Sequence, residues 1–115
     1  MNVVCLVGRL ATDVDVRSTT GGQFVANFRL AVNRPFGDRE ADFFPIVAWR
    51  KTAEFCGNHL QKGRMVSVEG RLQVRSWDQD GVKRYITEVV ASNVNFVGGK
   101  GEQGSGEEQG DDVPW

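Results

Sequence analysis

The chain is 115 residues long, 40% hydrophobic and 25% charged, with a formal net charge of −1. Residues 1–97 carry thirteen Lys and Arg against ten Asp and Glu, a formal +3, whereas residues 98–115 carry one against five, a formal −4, so the near-neutral total joins a mildly basic part to an acidic tail. About 97 residues suffice for one small domain and not for two. Met1–Val7 has no basic lead and too short an apolar run for a signal peptide, and no stretch reaches spanning length, so a cytoplasmic protein with no membrane contact is expected. Cys5 and Cys56 stand far apart without Cys-x-x-Cys or His spacing, which points to reduced thiols and to no metal or cofactor.

In chain order, the first strand is expected over Asn2–Leu10, and Gly21-Gly22 punctuates the long connection that follows. From Phe24 to Asn33, Phe24, Ala26, Phe28, Leu30 and Val32 alternate with Val25, Asn27, Arg29, Ala31 and Asn33, a half-buried strand. Asp42–Arg50 reads as the third strand. If Phe44, Ile46 and Ala48 fill the interior, Phe43 and Trp49 face outward, and Pro45 hints at a bulge or an unpaired amide. Between Thr52 and Gly63 the spacing of Ala53, Cys56 and Leu60 predicts a short helix, with Thr52 able to cap its start and Gly63 placed to end it. Gly57 and Asn58 weaken that helix, which therefore relies on packing. Met65–Trp77 alternates again, with Val66, Val68, Gly70, Leu72 and Val74 on the apolar side, and Asp78-Gln79-Asp80-Gly81 signals a hairpin turn before a returning strand, Arg84–Phe96. The expected fold is all-β: five strands with one short helix between strands 3 and 4, the arrangement of the oligonucleotide-binding (OB) barrel, with a sandwich carrying a stray helix as the alternative.

The segment 98–115 differs in kind. From Gly98 to Gln109 no large apolar residue occurs, so a disordered acidic tether is expected. Asp111, Asp112, Val113, Pro114 and Trp115 then place an acidic pair, a proline and an aromatic together, a short docking segment for a partner protein. A plain solubilising tail would not need the Trp.

Function is most legible on the outward sheet face. Phe43 and Trp49 share a parity on strand 3, Arg71, Arg75 and Trp77 share one on strand 4, and Phe36 sits in the loop Arg34-Pro35-Phe36-Gly37. A single exposed aromatic is ordinarily a packing or subunit contact. Four among arginines suit a nucleic acid strand, since every base has a π-face to stack on and cations meet phosphates. Ten of the fourteen basic residues are Arg, the residue suited to stacking and phosphate forks.

Val4–Leu10, Asn27–Phe36, Ala41–Phe43 with Val47–Lys51, Val68–Leu72 with Trp77, Tyr85–Val89 and the acidic tip together resemble the bacterial single-stranded DNA-binding proteins, over essentially the whole chain. The resemblance implies an OB-fold domain over 1–97 that binds single-stranded DNA as a homotetramer, a dimer of dimers, and a tail over 98–115 whose tip docks replication and repair proteins. It implies base stacking by Phe36, Phe43, Trp49 and Trp77 and phosphate contacts by Arg34, Lys51, Lys62 and Arg75. Arg29, Arg50, Arg71 and Arg84 join them from strand position. It also implies that the first strand pairs with its own copy, bringing Cys5 near its symmetry mate, although a reducing cytosol opposes a disulfide there. Two departures stand out: Pro45, and a tip ending Val-Pro-Trp where the family typically ends Ile-Pro-Phe.

Two rival functions remain open. An enzyme would need more than His59, in the weak helix, and Asp13 with Asp15, which could face one way together; no Walker loop, zinc spacing or nucleophile elbow accompanies them. An RNA-binding OB module would explain the aromatic face but not the tip.

Overall fold

The computed structural model describes residues 1–36 and 40–98. It contains β1 (Val4–Leu10), β2 (Asp15–Ser18), β3 (Phe24–Asn33), β4 (Ala41–Trp49), α1 (Arg50–His59), β5 (Met65–Gln79) and β6 (Val82–Phe96). The sheet runs β1-β5-β6-β4-β3-β2, and a further β1–β3 pairing closes five of these strands into a barrel. Closure excludes the sandwich. β1 accomplishes it by serving two neighbours: Val4–Arg9 pair with β5, and Arg9 and Leu10 pair with β3. A Cβ on Gly8 would collide with the Ala31 carbonyl, so the crossing of β1 onto β3 needs glycine.

The interior follows the expected parities. Leu10, Ala26, Phe28, Leu30, Ile46, Ala48, Val66, Val68, Val89 and Ala91 are buried, with Ala53, Cys56 and Leu60 of the α1 segment packed against them. Phe44 is partly buried and also faces in.

Several expectations are corrected. β2 was not anticipated: all four residues of Asp-Val-Arg-Ser are exposed, so no alternation marks them, and only pairing with β3 through a turn at Thr19–Gly22 makes them a strand. The helix, which follows β4 once β2 is counted, starts two residues before Thr52. Arg50 takes a left-handed φ of 57°, Trp49 occupies the cap without a side-chain hydrogen bond, and Thr52 lies inside the first turn. Gly63 does not end the helix, which stops at His59; at φ 91° it makes the following turn and donates its N–H to the Leu10 carbonyl. Asp80 and Gly81 both have positive φ, so the hairpin loop is only two residues long and β5 and β6 extend past the expected Trp77 and Arg84. These strands outrun the barrel, and Leu72 and Val74 are exposed rather than buried.

Pro45 produces no bulge. The β3–β4 register is continuous, with Arg29 opposite Pro45. The Arg29 amide donates to Thr12 Oγ1 and its carbonyl accepts from the Ala11 N–H, so both point away from β4 and this pair needs no donor from Pro45. β4 pairs with β6 only from Ile46 to Ala48, leaving Pro45 just outside that ladder too. Among the described residues the one register shift lies between Glu69 and Gly70, where β6 carries an extra residue, Ser92, whose Oγ donates to the Glu69 carbonyl. Added atoms on Gly70 would meet the Val90 carbonyl.

Gly8→Ala and Gly70→Ala are each expected to destabilise the fold by about 1–3 kcal/mol, read as a lower urea midpoint; a midpoint equal to the parent's would refute the close-approach account. Burial pushes the Cys56 thiol up to about 11. The unfolded chain ionises this thiol first, so stability should fall as pH rises through about 9 to 11. In native protein near neutral pH a thiol reagent is expected to label exposed Cys5 and spare Cys56.

Candidate nucleic-acid interface

Directly paired residues of neighbouring strands share a sheet face, so the register assembles the surface row by row. Asn27, Val47, Val90 and Arg71 form one row across β3, β4, β6 and β5. Beside it lie Arg29 with Pro45 and Glu88 with Gln73; the next positions are Ala31 with Phe43 and Ile86 with Arg75, then Trp77 with Arg84. On the other side Val25 pairs with Trp49. Phe43, Trp49 and Trp77 thus lie on one outward face with Arg29, Arg71, Arg75 and Arg84. Their exposures are 55%, 41% and 41%, enough for a planar ligand to reach each ring. Along β4 the two aromatics stand about 20 Å apart, too far for one base to touch both rings. Phe36, 86% exposed, lies in the loop after β3; its neighbour Gly37 falls outside the described residues.

The cations divide into two groups. Arg34 is held by Asp42 through bonds of 2.9–3.2 Å and by Glu40 at 3.1 Å. Its hydrogen bonds and charge hold the Asp42 carboxyl below the usual range, and the carboxylate raises Arg34 in return. Arg75 Nε sits 3.1 Å from Glu88 Oε2 and its guanidinium 5.6 Å from the Trp77 ring. By contrast, Arg29, Arg71 and Arg84 form no ion pair among the described residues, and Arg71 bonds Gln73 Oε1 at 3.3 Å.

Three other candidates are placed differently. Arg50 has left the strand, so its assignment from strand position does not hold; it begins α1 next to exposed Lys51. Lys62 lies in the turn by the β1–β3 closure, where its backbone N–H donates to Asp13 Oδ1, and no described side-chain contact joins it to the aromatics. Asp13 is thereby engaged, Asp15 pairs with Arg17 at 3.1 Å, and the His59 ring rests 5.0 Å from that of Phe55. The tip residues Asp111–Trp115 lie outside the described residues. Glu88 was missed in the sequence. Counting back from the two-residue turn sets it opposite Gln73, which was the available signal.

Residues 1–97 match the family model described as the single-strand binding protein family. The chain belongs to this family. Among curated relatives, the single-stranded DNA-binding protein of Oceanobacillus iheyensis is 51% identical over 115 residues, covering 96% of this chain and 71% of that one. That of Bacillus cereus is 50% identical over 115 residues, covering 96% and 66%. Single-stranded DNA-binding protein 2 of Listeria innocua is 53% identical over 102 residues, covering 84% and 64%. The chain therefore spans about two thirds of the length of such relatives. Within this single-strand binding family member, the Arg34–Asp42 pair is exposed but well formed. The depressed Asp42 carboxyl means that the pair's contribution is present above the ordinary carboxylate pKa and is lost as pH falls through the folded value. Arg34→Ala is expected to return the Asp42 titration, followed by NMR, toward the ordinary range; an unmoved titration would show that Arg34 is not its cause.

Proposed function

We propose that this chain binds single-stranded DNA without catalysis and with little sequence preference, stacking bases on Phe36, Phe43, Trp49 and Trp77 while free cations follow the phosphates. The observation that carries this reading is the outward row arrangement, in which Phe43, Trp49 and Trp77 share one face with Arg29, Arg71, Arg75 and Arg84. Stacking is tolerant of base identity because every base offers a π-face, and arginine adds both charge and a plane. Arg29, Arg71 and Arg84 are the principal phosphate contacts on the face, with Lys51 at its edge. Asp111–Trp115 recruits replication and repair proteins: the acidic pair suits a basic pocket, Trp115 supplies an apolar anchor and Pro114 limits the entropy lost on docking. Assembly into a homotetramer is supported by β1, whose second edge has no partner strand from Val4 to Gly8 among the described residues.

Trp49→Ala, Trp77→Ala and Phe43→Ala are each expected to weaken binding to a poly-thymidine oligonucleotide by about 1–3 kcal/mol without loss of fold, a range that comes from single-strand binders of this kind rather than from this structure. Intrinsic Trp fluorescence measures it, and variants that all keep parental affinity and quenching would refute stacking. Competition with an RNA of the same sequence separates the RNA-binding alternative, and incubation of labelled oligonucleotide with magnesium reveals any nuclease. Removing residues 111–115 is expected to abolish partner capture in a pull-down while leaving DNA binding in place; equal recovery of partners would exclude docking by the tip.

A further inference from the structure

Glu88 is the one polar side chain buried among the described residues, at 3% exposure, and it stands on the face that meets the ligand. A buried carboxylate is costly unless matched in charge and hydrogen-bonded. Its partners come from the adjacent strand: Arg75 Nε at 3.1 Å and Gln73 Nε2 at 3.4 Å. Arg75 stands opposite Ile86, not Glu88, so its side chain leans diagonally back by one row to reach the carboxylate. The same guanidinium lies 5.6 Å from the Trp77 ring. Glu88 directly precedes the stretch of β6 that is flanked on both sides, by β4 and β5, whereas Trp77 is on the part of the hairpin that runs past β4. The contacts form a chain from the anchored centre of the sheet, through Arg75, to an aromatic on its projecting arm.

We propose that Glu88 is a positioning residue of the single-strand interface: it holds Arg75 against Trp77, presetting that ring for a base, and by matching the charge of Arg75 it withdraws this cation from the phosphate contacts. The proposal rests on the single-stranded DNA reading. Arg75 then supplies a polarised support for Trp77, and the counterions released on binding are those of other cations. Each phosphate contact on a single strand contributes about 0.7 to the slope of log K against log salt.

The experiment uses the full chain, a poly-thymidine oligonucleotide and Trp fluorescence over a range of salt, with the parent, Arg75→Gln, Glu88→Gln and each of these combined with Trp77→Ala. Arg75→Gln is expected to leave the salt slope unchanged. Glu88→Gln keeps the shape but releases the cation, and should steepen the slope by about 0.7. At high salt, where phosphate attraction is screened, both variants should lose about two- to fivefold in affinity, and that loss should vanish in the Trp77→Ala background. An Arg75→Gln slope shallower by about 0.7 would make Arg75 a phosphate contact and overturn the proposal. So would a high-salt loss that persists without Trp77, because a merely structural role for Glu88 would not depend on that ring. If Glu88→Gln does not fold, the Arg75→Gln slope decides alone. A parent protein that fails to bind the oligonucleotide would instead overturn the underlying reading, which separates the two failures.

Discussion

The structure depends on one strand having two partners. β1 leaves β5 at Arg9 and continues onto β3, and this crossing turns an open sheet into a barrel with an inside and an outside. Close backbone approach at Gly8 permits it, since a side chain there would strike the Ala31 carbonyl. Closure gives strand parity its functional meaning. Once Leu30, Ile46, Val68 and Val89 are committed to the interior, the residues between them in β3, β4, β5 and β6 belong to one continuous outer surface. Aromatics from strands far apart in sequence are thereby brought to a single outer face.

This dependence also explains what could be read from the residues alone. Phe43 and Trp49 face outward, as expected if Phe44, Ile46 and Ala48 fill the interior. The β3–β4 register is continuous from Ala41 to Trp49 and Ile46 and Ala48 are fully buried, although Val47 on the opposite parity is covered as well, so apolar character alone did not decide the interior. The helix was recognised through Ala53, Cys56 and Leu60, which are buried as their spacing required. What remained hidden was information held by neighbours. Alternation in β5 continues through Leu72 and Val74, but periodicity does not report where adjacent strands stop covering them. β2 has no apolar pattern of its own and exists by pairing. The left-handed turn at Arg50 carries no glycine to announce it.

The site was legible to the same degree and for the same reason. Strand parity located rings and guanidinium groups but not the acids that would meet them. Arg34 meets Asp42, eight positions later, because β3 and β4 are antiparallel neighbours whose ends place them side by side. Arg75 meets Glu88 because a two-residue turn fixes the hairpin register thirteen positions away from its first member. A list of basic residues therefore overstates the cations free to take phosphate, and the correction comes from pairing geometry.

That division of the arginines bears on how such a surface keeps hold of a strand under changing ionic conditions. Exposed charge attraction weakens over a Debye length of about 8 Å at physiological salt, so a face built only from free arginines would release its ligand as salt rises. Stacking is screened far less, because it rests on contact and on the fixed quadrupole of the ring. Phe43 and Trp49 on β4 and Trp77 on the β5–β6 arm expose rings suited to contacts of that second kind. Arg29, Arg71 and Arg84, which form no ion pair among the described residues, are suited to the first. A buried carboxylate beneath Arg75 moves one guanidinium from the screened group to the unscreened one, at the cost of desolvating Glu88. Such a cost is justified physically only where the cation does more as a support for a ring than as one further phosphate contact, and the corner around Trp77, at the less anchored end of the sheet, is where an ordered ring most needs that support.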